Sequence, residues 1–231
     1  MSWFVTYVRS SIGAKHVMAV TGLLLALFAV AHMIGHLVMF GGRDAYNDYA
    51  HMLQNLGHGG VKWIVRGGLL ALVAIHIGAG IRLTSLNKAA RPVPYAVFRT
   101  VRTRPWAKTM VWTGLAVLAF IVYHILHFTA GQIQPEYFHQ LDPKGRYDAY
   151  VMFVRGFQNP AILASYLVAM ACLLPHLSHG LKSLFQSLGL QHPKYDGLID
   201  KGGAGLAVIL FLGYITPPLC VALGVIKLPG A

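Results

Sequence analysis

The chain is poor in charge, poorest in acids, and nearly without thiols. Asp, Glu, Lys and Arg make up 11% of its 231 residues, against roughly a quarter in a soluble globular domain. That deficit argues against a soluble enzyme. Acids number only seven, and Glu136 is the one glutamate. The two cysteines, Cys172 and Cys220, both lie in apolar runs, so neither a disulfide framework nor a cysteine-based metal site is expected. No stretch shows the alternation of a half-buried strand, and no solenoid repeat is visible. What the chain does have is apolar length, basic charge and histidine. It is 56% hydrophobic, and its twelve histidines outnumber its acids. The net charge of +12 does not by itself point to nucleic acid, because its location decides its meaning.

A bilayer core of about 30 Å takes about 20 mostly apolar residues per helix. Five segments qualify: Val17–Phe40, Val61–Ile81, Ala107–Ala130, Ala161–Leu181 and Gly203–Ile226. Backbone groups in lipid must pair within their own segment, so the spans are expected to be helices. The expectation is a single all-α integral membrane domain covering 1–231. Turn signals stand at Gly41-Gly42, Gly57–Gly60 and Pro92–Pro94. The first span carries an A-x-A match, Ala29-Val30-Ala31, after Arg9 and Lys15. A cleaved signal peptide is not expected, because the apolar run continues to Phe40.

Lysine and arginine in the loops set orientation. The N-terminus, the loop Arg82–Lys108 and the loop after span four hold twelve basic residues, and the opposite side holds seven. The richer side is expected to be cytoplasmic, which puts the N-terminus inside and the C-terminus outside. The loop from Arg82 to Lys108 carries seven basic residues (Arg82, Lys88, Arg91, Arg99, Arg102, Arg104 and Lys108) and no acid. It suits anionic lipid, a negatively patched cytoplasmic partner, or both.

Ionisable residues inside spans are rare and mark function. Here His32 and His36 lie in span one, His76 in span two, His124 and His127 in span three, and His176 and His179 in span four. A lone membrane histidine is more often structural than a ligand. Four helices that each contribute one or two are a different case, since neutral imidazole ligates Fe, Zn and Cu and a bundle core is a usual place for such a site. No carboxylate or thiolate lies nearby, which disfavours di-iron carboxylate, zinc–cysteine and iron–sulfur chemistry. Imidazoles alone suit haem iron. At 1.5 Å per residue, His32 and His124 fall roughly 9–12 Å from the outer edge, and His76 and His176 about 9 Å from the inner edge. Two pairs at two depths read economically as two bis-histidine haems b, with the first four helices bundled around them. Within each doublet spacing favours the first member without excluding the second. The second members have propionates, quinone or backbone as partners. His16, His51, His58, His139 and His192 fall at span ends or in loops, where a solvated histidine is the default.

These residues also carry a resemblance. Lys15-His16-Val17-Met18-Ala19-Val20-Thr21-Gly22 opens span one. His32-Met33-Ile34-Gly35 is followed by Ala45-Tyr46-Asn47-Asp48-Tyr49-Ala50-His51. Then come His76-Ile77-Gly78-Ala79-Gly80, His124-Ile125-Leu126-His127-Phe128, and His176-Leu177-Ser178-His179-Gly180 with Ser183, Phe185-Gln186 and Leu188-Gly189-Leu190. In this order and on these spans they resemble the di-haem cytochrome b membrane anchor of type B succinate:quinone oxidoreductases, the succinate dehydrogenases and fumarate reductases. The likeness runs from Ser10 to about Gly213. It implies five membrane helices, two haems b, and a flavoprotein and an iron–sulfur subunit docked on the cytoplasmic face. It also implies electron transfer between the iron–sulfur subunit and membrane quinone. Carried over by position, the ligands are His32, His76, His124 and His176, paired His32/His124 and His76/His176. The resemblance implies the cell inner membrane as the location and membership of a quinone oxidoreductase as its non-dehydrogenase subunit. It leaves open menaquinone or ubiquinone, and succinate oxidation or fumarate reduction.

Two departures stand out. No Asp or Glu lies inside any span, so the acidic proton route of some relatives has no carrier here. His36 stands where many members have Asn. Arg82 and Lys182, one or two turns from the inner ligands, are candidate propionate partners or else ordinary interfacial anchors. Quinone candidates are His36, His127, His51 and Arg66 near the outer end, and Ser10, Ser11, Lys15 and His16 near the inner end. Two rival readings remain: the di-haem anchor of another quinone-linked dehydrogenase, such as a hydrogenase or formate dehydrogenase, and a haem-free transporter or assembly protein with structural histidines.

Overall fold

The computed structural model describes residues 2–90, 93, 105–228 and 230. Over these residues its regular secondary structure is helical, apart from one isolated antiparallel bridge between Leu141 and Tyr147. The chain runs α1 (Trp3–Arg9), α2 (Ser11–Leu37), α3 (Gly42–Asn55), α4 (Gly60–Ala89), α5 (Pro105–Lys108), α6 (Met110–His124), α7 (Ala149–Gln158), α8 (Pro160–Ser187) and α9 (Pro193–Ala222). A π turn, Ile125–Thr129, extends α6. Among the described residues five helical segments are long and apolar enough to cross a membrane, built on α2, α4, α6, α8 and α9. Their outward faces are apolar: Leu27 and Ile34 on α2, Ile64 on α4, Trp112 on α6, Val168 on α8 and Ile209 on α9 are all more than half exposed and lie off the central cavity. A surface of that kind is unsuited to water and suited to lipid.

The five expected spans are present, with different ends. Every one of these helices except α6 starts earlier or ends later than its apolar core. The 30 residues of α4 make about 45 Å of helix, well beyond a bilayer's hydrocarbon. Arg82 and Lys88, counted in the sequence as loop, are thus helical, as is Lys182 on α8. Likewise α9 starts ten residues before Gly203 and carries Asp196 and Asp200 in its first turns. Arg91, Arg99, Arg102, Arg104 and the turn Pro92–Pro94 involve positions outside the described residues.

Helix ends follow local chemistry. Ser10 closes α1 and opens α2, its side chain accepting from the Gly13 amide at 2.9 Å and donating to the Tyr7 carbonyl at 2.7 Å. Asn159 caps α8 ahead of Pro160 at the first helical position, where a missing amide costs nothing. Gly42 and Gly59 take positive φ, 86° and 79°. They make the turns into and out of α3 that their sequence positions announce.

Two helices lie where the sequence suggested only loop: α3 and α7. Together with residues 131–148 they cap one end of the bundle, the far end, at which α2 and α6 finish. The cap is clasped by charge. Arg146 binds Asp44 and Asp142 at 2.6 Å each and also reaches Asp48. Arg43 pairs with Asp148. Asn47, fully buried, donates to Asp142 at 3.1 Å and Asp148 at 2.9 Å and accepts from the Tyr150 amide at 3.0 Å. Four of the chain's seven acids are in this clasp. Burial pushes the Asp142 carboxyl up, but Arg146, Asn47 and backbone amides outweigh burial and hold it far below the usual carboxylate range. Beneath the clasp lies the main core, with Met39, Phe153, Val154, Phe157, Tyr166 and Val221 in one buried cluster.

Candidate functional site

In the membrane-crossing part, α4 packs along α2, α6 along α8, and α2 packs on α8, with α9 against α2 and α8. No extended contact joins α4 to α6. The space between them is a cavity of about 1820 Å³, nearly twice the upper end of an ordinary small-ligand pocket, about 1,000 Å³. It runs the length of the bundle. Gln54, Lys62 and Arg66 line its far end, and Asn87, Lys88 and Ser187 its near end, with apolar walls between.

Six histidines line this cavity: His32, His36, His76, His124, His176 and His179. His32 of α2 and His124 of α6 face each other with ring centres 5.8 Å apart. Two imidazoles that hold one metal ion from opposite sides at about 2 Å stand with ring centres roughly 6 Å apart. His76 of α4 and His176 of α8 line the same cavity nearer its other end. Each is seated in the same way on a neighbouring helix. Thr21 Oγ1 lies 3.1 Å from His76 Nδ1, and Thr113 Oγ1 lies 3.2 Å from His176 Nδ1. The next residue in both places is glycine. A Cβ on Gly22 would stand 3.2 Å from His76 Cε1, and one on Gly114 3.2 Å from His176 Cε1. Both glycines thus make room for a ring lying close on the helix backbone.

The second members of the doublets are placed differently from one another. His127 is 2% exposed and does not line the cavity. Its Nδ1 lies 3.0 Å from the Tyr166 hydroxyl and its Nε2 3.3 Å from Gln134 Oε1. The π turn explains this. A wider turn advances the chain by fewer degrees per residue, so three steps from His124 fall short of a full turn. His36 does line the cavity, between His32 (Nε2 to Nε2, 3.2 Å) and the Tyr46 hydroxyl, 3.2 Å from its Nδ1. His179 borders the near end. The other five histidines are off the cavity. His16 meets the Tyr7 hydroxyl, His51 meets Asn55, His139 stacks on Tyr147, and His192 caps α9. His58 sits in a turn at positive φ.

Neither expected propionate partner lines the cavity. Arg82 donates to the Arg9 carbonyl, and its buried Nε has no partner among the described residues. Lys182 is paired with Asp200 at 3.5 Å and Asp196 at 3.9 Å, tying α8 to α9. Among the described residues the cations that do reach the cavity are Lys88 at the near end and Lys62 and Arg66 at the far end, the last two also against the Trp63 ring. Of the quinone candidates, His36 and Arg66 line the cavity, while Ser10, Ser11, Lys15, His16, His51 and His127 do not.

Sequence reasoning missed Thr21, Thr113, Gly114 and Tyr166 as contributors. A signal for three of them is present as an internal repeat. Met18-x-x-Thr21-Gly22-Leu23 and Met110-x-x-Thr113-Gly114-Leu115 share one pattern, and each is followed by a histidine eleven positions after its threonine, His32 and His124.

The arrangement suits haem. A bis-histidine iron asks the protein for only two ligands, the porphyrin supplying the rest. Paired neutral imidazoles, an apolar shell and the volume between α4 and α6 are what such a group needs. A metal held by protein alone finds less: among the described residues no group of three or more His, Cys, Asp or Glu side chains converges. No family model, no curated protein and no solved structure matches the chain.

Proposed function

We propose that the chain is the di-haem cytochrome b membrane anchor of a succinate:quinone oxidoreductase. It passes electrons between a cytoplasmic iron–sulfur subunit and membrane quinone. The observation that carries the reading is that four helices line one cavity with His32, His76, His124 and His176, the rings of His32 and His124 standing 5.8 Å apart. The ordered motifs of the sequence add the choice of complex to this. On this reading the protein lies in the cell inner membrane. Its near end, rich in lysine and arginine, is cytoplasmic, and a flavoprotein and the iron–sulfur subunit dock there.

His76 and His176 hold the inner haem, and His32 and His124 the outer one. Haem supplies one-electron chemistry. The chain's own residues bind, orient and insulate. Neutral imidazoles keep ligand charge low where charge is expensive. Gly22 and Gly114 let the inner imidazoles approach the backbone. Lys88 at the near end, and Lys62 and Arg66 at the far end, offer cations to propionates. His36, close to His32 and Tyr46, is the best-placed polar group for a quinone carbonyl at the outer end.

The test is purification of the intact complex with identification of its partners and addition of succinate. Co-purifying flavoprotein and iron–sulfur subunits, with haem reduction by succinate, are the expected result. A molybdenum or nickel subunit in their place assigns the anchor to another quinone-linked dehydrogenase and overturns the choice of complex.

A further inference from the structure

We infer that the hydroxyls of Thr21, Thr113 and Tyr166 lock three of the four paired imidazoles in one tautomer. In that tautomer the proton is on Nδ1 and the Nε2 lone pair is left for iron. The inference rests on the di-haem reading above and assigns these three as positioning residues.

A hydroxyl has one hydrogen, and a carbonyl only accepts. Thr21 donates its hydrogen back along its own helix to the Val17 carbonyl at 2.7 Å. Toward His76 Nδ1 its oxygen is therefore an acceptor, and Nδ1 must carry the proton. The second helix pair repeats the device. Thr113 donates to the Thr109 carbonyl at 3.0 Å, with the Met110 carbonyl at 3.2 Å. His176 then donates from Nδ1 to Thr113 at 3.2 Å. The repeated Met-x-x-Thr-Gly-Leu sequence is the footprint of this seat.

His124 is locked by a longer chain that starts at the far end. Gln134 Oε1 accepts from His127 Nε2–H at 3.3 Å. A neutral imidazole with its hydrogen on Nε2 accepts at Nδ1, so Tyr166 donates to it at 3.0 Å. The Tyr166 oxygen is then left to accept from His124 Nδ1–H at 3.3 Å. This gives His127 a role without ligation: it directs the Tyr166 hydrogen. His32 is the exception, since its Nε2 faces His36 and not a hydroxyl.

Outer partners that accept from a ligating histidine fix its ring orientation and raise its basicity, and their loss typically costs 10–100-fold in metal affinity. Thr21→Val, Thr113→Val and Tyr166→Phe remove the acceptors one at a time. Each is purified as the full chain. The readouts are a redox titration of each haem, low-temperature EPR, and haem retention against an apoprotein acceptor. Either threonine variant is expected to raise the potential of the inner haem alone and weaken its retention about 10-fold or more. Thr21→Ser and Thr113→Ser should restore both. Tyr166→Phe is expected to move the outer haem alone. Variants that hold both haems at wild-type potential and retention, or that move the wrong haem, overturn the inference while the di-haem reading stands. A wild-type chain without haem overturns the reading and the inference together.

Discussion

At the scale of the residue, the histidines were legible and their seats were not. Imidazoles inside apolar spans are conspicuous, and the eight-, six-, six- and six-residue distances from the span ends (at Phe40, Arg82, Ala130 and Lys182) are enough to pair them by depth. A threonine or glycine in an apolar helix is ordinary, and becomes informative only when a ring on another helix is found against it. Geometry also separates one of the doublets, His124 and His127, which spacing left open. His127 has both nitrogens engaged away from the cavity, whereas His124 faces His32. His76→Leu is therefore expected to reduce the haem content from two to one per chain and leave the outer haem intact. His127→Leu should keep two low-spin haems with the outer potential altered. Pyridine haemochrome quantitation with low-temperature spectra measures both. Two haems in His76→Leu, or one in His127→Leu, would show that the ligands are assigned to the wrong residues.

At the scale of the element, the five crossing helices were readable because apolar runs of this length have few alternatives. Their ends were not, since Arg82, Lys88 and Lys182 read as loop by charge and are helical in fact. The helices α3 and α7 were missed for a related reason. They cover the end of the bundle, and what holds them is contact over about a hundred residues of sequence: Arg43 to Asp148, and Asn47 to Asp142 and Asp148. No local pattern announces such a clasp. Its strength depends on pH with a definite sign. The Asp142 carboxyl is held below its unfolded value, so its contribution is present in full above about pH 4 and is lost as pH falls toward its folded value. Thermal unfolding followed in detergent should show the cap weakening progressively on acidification, and Asp142→Asn should be less stable at pH 7 and flatter below pH 5. An equally steep acid dependence in that variant would place the titrating group elsewhere. Asn47→Ala, which strands buried partners on both sides, is expected to cost about 2 kcal/mol in the same assay. A change within experimental scatter would show that the cap does not depend on it.

At the scale of the whole molecule, composition acquires a physical meaning. Basic residues outnumber acids nineteen to seven, the few acids are spent largely on the cap, and six half-buried imidazoles line one cavity of the crossing region. The separation of α4 from α6 leaves the space that the two proposed haems would fill. On the proposed reading, five crossings put the two ends of the chain on opposite sides. Accessibility of single cysteines placed near Ser2 and near Gly230 to an impermeant thiol reagent should therefore differ, with the C-terminal one labelled from outside. Labelling of both from one side would contradict five crossings. The central claim, that the paired histidines hold two haems, is tested most directly by the reduced-minus-oxidised visible spectrum of the purified chain with haem quantitation. The account predicts two low-spin b-type haems per chain. A colourless protein, or a single haem, would contradict it.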